Sequence, residues 1–172
     1  MHSFRGSALI ATLMAGALAI GPAAAAPDRA PPYWASIAAG QARMRTGPGR
    51  NFPTSWLYRR ADLPVKVVQV IKPDEHSKGE ASWRKIQDPD GTTGWMLVNL
   101  LSDRRTAIVR GEIRPLHAKP DSASPIVWRA APGVVGRISR CSDGWCLFDV
   151  RGQRGYIETS GIWGVDPGEV ID

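Results

Sequence analysis

The chain has 172 residues, 22 basic and 16 acidic side chains, and a net charge of +6. The excess is modest and spread along both halves with no cluster of five or more basic residues, which argues against a nucleic-acid partner. Eighteen glycines and fourteen prolines, with no apolar repeat of helical period and length, predict an all-β protein of many short strands.

Residues 1–25 read as a cleaved signal peptide. Arg5 supplies a basic start, residues 8–20 (ALIATLMAGALAI) are apolar but for one threonine, Gly21-Pro22 breaks the run, and Ala23-Ala24-Ala25 offers a cleavage site. The run is shorter than the roughly 20 residues needed to span a bilayer. The expectation is an exported, periplasmic protein with no membrane span in its mature part. A Pro/Ala-rich spacer, 26–32, follows.

The first domain is expected over 33–103. Residues 40–45 alternate, placing Ala42 and Met44 on one face and Arg43 and Arg45 on the other. Thr46-Gly47-Pro48-Gly49 ends that strand, and Phe52 is expected to tuck under the next loop. Trp56-Leu57-Tyr58 forms a short strand and Arg59-Arg60-Ala61-Asp62 a turn. Residues 63–71 (LPVKVVQVI) are the longest β-branched run, with Val65, Val67 and Gln69 facing inward. A polar loop, 72–80, carries His76. Residues 79–102 (GEASWRKIQDPDGTTGWMLVNLLS) then read as a hairpin around Asp88-Pro89-Asp90-Gly91, closed by a single turn at 98–101.

The order recurs in a second domain, 104–166. Trp145 stands where Trp83 stood, Phe148 where Ile86 stood, Gly152 where Gly91 stood, and Gly155-Tyr156 where Gly94-Trp95 stood. Trp128 matches Trp56, and residues 132–138 match 61–67 after a slip of one residue. Pro115 and His117 are expected to interrupt the second domain's first strand.

With these residues in view the chain resembles the bacterial Src-homology-3-like domains of exported envelope proteins, in tandem. The resemblance rests on ARMRTGPGRNFPTSWLYRRADLPVKVV, then SWRKIQDPDGTTGWM, then NLLS. Asp62 departs from the glycine usual before Leu63. The family implies two small, strongly bent β-barrels and a binding module for the cell wall. It implies no reaction, since one fold hosts many functions.

Cys141 and Cys146 flank a four-residue loop between two expected strands, where facing positions approach the roughly 5.5–6 Å a disulfide wants. Export places them in an oxidising compartment. The C-x-x-C spacing of redox dithiols is absent, and two cysteines with distant His76 and His117 make no metal site. No catalytic constellation stands out, and Asp88 and Asp90 occupy turn positions that favour aspartate. The expectation is a non-catalytic protein without cofactor or metal. Trp83 and Trp145 are expected in the core. Trp56, Tyr58, Trp128, Tyr33 and Trp34 are too many to bury together, so some should line a surface groove. The candidate ligand-binding set is Arg43, Arg45, Trp56, Tyr58, Arg59 and Arg60, whose rings and guanidinium groups suit sugar rings and peptide carboxylates if they share one face. The expected partner is peptidoglycan or its stem peptides; the alternative is an envelope protein docked in a groove or on a free sheet edge.

Overall fold

The computed structural model describes residues 29–72 and 82–172. The expected signal peptide and most of the 72–80 loop, including His76, lie outside the described residues.

Two seven-stranded antiparallel sheets follow one another along the chain, each with the same strand order. The first contains β1 (Tyr33–Ile37), β2 (Ala42–Arg45), β3 (Thr54–Tyr58), β4 (Pro64–Ile71), β5 (Trp83–Gln87), β6 (Thr93–Leu97) and β7 (Leu101–Ser102). The second contains β8 (Thr106–Val109), β9 (Arg114–His117), β10 (Ile126–Ala130), β11 (Val135–Ser142), β12 (Trp145–Val150), β13 (Gln153–Glu158) and β14 (Ile162–Trp163). The helical turns among the described residues are two single 3₁₀ turns, at Val98–Leu100 and Thr159–Gly161. They sit at equivalent places, each turning the chain back to its sheet's last strand.

Each core is built from one face of its own sheet. Ala35, Ile37, Met44, Val65, Val67, Ile86 and Met96 fill the first. Val109, Leu116, Ile138, Phe148, Ile157 and the two cysteines fill the second. The expected alternation holds in β2, where Ala42 and Met44 are each 1% exposed. It fails in β4. A bulge between Val67 and Gln69 shifts the register by one residue, so Gln69 is exposed and Val70 packs on the core instead. Phe52 lies against Gly47, where an added Cβ would stand 2.3 Å from its ring, yet the ring remains 40% exposed rather than tucked away.

The duplication is closer than its residues suggest. The Asp62 N–H donates to Ile37 O and the Ile37 N–H to Leu63 O; Gly133, Val109 and Val134 repeat both bonds. Residues 61–67 therefore correspond to 132–138, one residue out of step with the preceding match of Trp56 to Trp128, which is the expected slip. Asp62 holds φ +63° where its counterpart Gly133 holds +83°, and aspartate is among the residues that tolerate this region. Pro115 and His117 do not break their strand, because β9 forms through both and pairs with β10 and β13. The paired glycines of the Gly-aromatic motif have a common reason. A Cβ at Gly94 would stand 3.0 Å from Arg45 O, and one at Gly155 would stand 3.1 Å from His117 O. Each glycine lets β6 or β13 pass close to the strand beside it.

Cys141 and Cys146 are disulfide-bonded, with Cα atoms 4.1 Å apart. The Cys141 N–H and C=O bond to Ile171 rather than across the hairpin. That makes the cysteines a non-hydrogen-bonded pair, the closer of the two antiparallel spacings. The same bridge draws the C-terminal tail, beyond residue 166, back onto the second sheet. Glu169 fastens it: Arg105 donates to both its carboxylate oxygens, at 2.5 and 3.0 Å. Burial opposes the ionised form, but the Arg105 bonds and the Asp166 N–H hold this carboxyl below its usual value. Thiol labelling without reductant is expected to find no free cysteine. Reduction should cost the second domain roughly 2 kcal/mol, the loop-closure value for so short a ring, read as a lower denaturation midpoint.

The two domains dock. Trp34 on β1 and Trp163 on β14 meet edge to face, with centroids 4.6 Å apart. Lys66 Nζ lies 4.9 Å from the Trp34 ring centroid and donates to Asp166 Oδ1 at 2.7 Å. Arg60 Nη1 donates to Gly133 O at 2.8 Å, and Arg110 Nη1 donates to Pro89 O.

Candidate functional site

These tethers leave a cleft between the domains, of about 500 Å³. From the first domain it is lined by Trp56, Tyr58 and the 88–92 turn; from the second by residues 108–111 and 132–133. Trp56 is the most exposed of its large apolar side chains, at 59%. The reason is its position. Trp56 is opposite Met44 in the β2–β3 pairing, so it points to the core side of the sheet. But β3 is the edge strand, and no further strand covers that side. Its counterpart Trp128 sits opposite Leu116 on edge strand β10 and is 46% exposed. The expectation that some aromatics stay at the surface thus falls on one position, repeated in each domain. Trp34, Tyr58 and Trp83 are buried.

Tyr58 forms the floor. It is 6% exposed and its hydroxyl donates to Asp88 Oδ2 at 2.9 Å. Asp88 is also buried, and its Oδ1 accepts the backbone N–H groups of Asp90 and Thr92, at 3.0 and 2.8 Å. Burial, then the bond and charge of Asp88, push the Tyr58 phenol well above its ordinary value. In the second domain this pair has no polar counterpart: Ala130 and Val150 hold the matching positions. Asp90 is exposed at the cleft, and so is Arg110 opposite it. The cleft therefore offers an aromatic face, a carboxylate and a guanidinium.

The six expected ligand residues do not share one face. Trp56 and Tyr58 lie on the cleft side. Arg43 pairs opposite Leu57 and is exposed on the other side of the sheet. Arg45 faces Trp95 across β6 and donates to Phe52 O at 2.6 Å, bracing the 46–53 loop. Arg59 is exposed at the end of β3, and Arg60 ties the domains together. Sequence reasoning treated Asp88 as a turn aspartate and missed Asp90 and Arg110 as cleft residues. The Asp-Pro-Asp-Gly turn was legible, but nothing local shows that a residue 22 positions later closes over it. His117 Nδ1 bonds Ser124 O at 2.7 Å, and its ring packs edge-on to Trp145 at 5.5 Å, which accounts for its burial as loop packing. Among the described residues no cluster of three or more His, Cys, Asp or Glu could hold a metal ion, and no helix is long and apolar enough to cross a membrane.

A family model described as bacterial SH3 domain matches residues 38–103 and again 111–164. No curated protein matches the chain. Two solved structures from Trichomonas vaginalis are similar to it. NlpC2 is 14% identical, with 80% of this chain and 51% of that one covered and a TM-score of 0.32. NlpC1 is 13% identical, with 80% and 47% covered and a TM-score of 0.31. The chain thus spans about half the length of each. The two family matches coincide with the two sheets and their common strand order, and the chain belongs to the bacterial SH3 domain family, of which it carries two copies.

Proposed function

We propose that the chain is an exported, non-catalytic module that binds peptidoglycan or its stem peptides through the inter-domain cleft. The single observation that carries this reading is Trp56, a large aromatic face held open at the mouth of a cleft in a family suited to wall recognition. A sugar ring or the aliphatic part of a stem peptide stacks on it. Asp90 accepts an amine and Arg110 pairs with a carboxylate, the two charged groups such a peptide carries.

Purified sacculi are expected to retain the protein at low salt and to release it as salt rises. Trp56→Ala should weaken retention about two- to tenfold, the range for one aromatic contact. Arg43→Ala, on the opposite face, should leave it unchanged. If sacculi fail to hold the wild-type chain even at low salt, the wall reading falls. A partner protein then takes its place, a reading favoured by the edge of the second sheet, where Ile126, Val127 and Trp128 are all exposed on β10.

A further inference from the structure

The outer face of the second sheet carries a row of cross-strand neighbours, Thr106, Arg137, Asp149 and Arg154. In the first sheet the same row reads Trp34, Lys66, Gln87 and Thr93. There the second domain covers the row, and Asp166 presents its carboxylate to Lys66 at 2.7 Å. Arg137, which holds the position of Lys66, has no such cover. It is exposed and has no carboxylate partner among the described residues.

The row opens into a second groove of about 1070 Å³, lined by Arg60, Arg137, Arg151 and Arg154 together with Asp62 and Asp149. Both carboxylates are already engaged. Asp62 pairs with Arg104 at 2.8 Å. Asp149 accepts the Gly152 N–H at 2.7 Å and pairs with Arg154 at 3.4 Å. Arg151 is the telling residue. It occupies the β12–β13 turn at φ +55°, beside Gly152 at +92°. Such a turn favours asparagine, aspartate or glycine, and an arginine there carries backbone strain. In the corresponding turn of the first domain, Asp90-Gly91, only the glycine holds a positive φ, at +84°. A cation has thus been placed where the backbone disfavours it, at the rim of a groove already rich in guanidinium groups.

We propose that this groove binds an acidic peptide segment of another protein, its carboxylates seated on Arg137 and Arg151 as the Asp166 carboxylate is seated on Lys66. The site adjoins the cleft at Trp56, sharing Pro132 and Gly133 with it, but its charged side chains are different ones, and the two stand or fall independently.

Poly-L-glutamate is the probe, titrated against the full chain at low and high salt. The wild type should bind at low salt and lose affinity as salt rises. Arg137→Ala and Arg151→Gly should each weaken binding about two- to fivefold, as expected for exposed ion pairs, and the double variant more. Arg151→Gly is the cleaner of the two, because glycine adopts this φ without strain and should raise the melting temperature while lowering affinity. Trp56→Ala should leave polyglutamate binding unchanged. The proposal is overturned if the wild type does not bind polyglutamate at low salt. It is also overturned if the arginine variants bind as well as wild type, if Trp56→Ala abolishes binding, or if inorganic polyphosphate binds and polyglutamate does not.

Discussion

Tyr58→Ala is expected to destabilise the first domain by about 3–5 kcal/mol, the range for truncating a buried aromatic. The ring packs in the same core as Ala42 and Met44. Its removal leaves a cavity and deprives the buried Asp88 carboxylate of a donor. Tyr58→Phe separates the two effects. It keeps the ring and loses only the hydroxyl, and should cost about 1–3 kcal/mol. Urea unfolding followed by tryptophan fluorescence reads both values. The phenol adds a pH signature. Its folded value is raised, so the unfolded chain ionises first. The stability it contributes is complete below the ordinary phenol value of about 10 and is lost as pH rises toward the raised one. Alkaline unfolding should therefore be milder in Tyr58→Phe, relative to its own neutral-pH stability, than in wild type. A Tyr58→Ala protein as stable as wild type would remove the residue from the core.

The second large effect is expected at the domain junction. Trp34→Ala should cost about 3–5 kcal/mol and turn a single unfolding transition into two. Trp34 is 5% exposed, lies between Lys66 and Trp163, and joins the outer face of the first sheet to the last strand of the second. Without it the remaining tethers are polar and partly exposed, and such contacts are individually weak. Trp34→Phe should be much milder. It keeps an aromatic edge for Trp163 and removes an indole N–H that has no hydrogen-bond partner. Differential scanning calorimetry distinguishes one transition from two, and a single transition in Trp34→Ala would show that the domains hold together by other means.

Most of the fold was legible in the sequence because it depends on local signals. The Asp-Pro-Asp-Gly turn, the alternation around Ala42 and Met44, and the repeated Gly-aromatic pair each act within a few residues. Gln69 was misplaced because a bulge inserts one residue and inverts every later side chain in its strand, and no residue type marks it. Pro115 and His117 read as breakers, yet β9 accepts both. Of the candidate site, Trp56 could be found, since five aromatics near the domain surface are too many to bury together. That Tyr58, two residues on, goes inward while Trp56 stays open depends on where the sheet ends, and that is a tertiary fact. Arg110 and Arg137 acquire their meaning from the docking of one domain on the other, which no local pattern encodes.

Trp56 and Trp128 occupy the same position in two domains whose docking restrains them from swinging apart. The tethers between the domains therefore limit how far these two rings can move apart. A ligand with one recognition unit has no use for this, since it meets one ring or the other. On the proposed wall reading, a polymer that repeats its unit at a matching interval would engage both, and the second contact would form at a high effective concentration once the first is made. Oligomers long enough to bridge the two rings should then bind disproportionately better than shorter ones, with a step at the bridging length rather than a gradual rise.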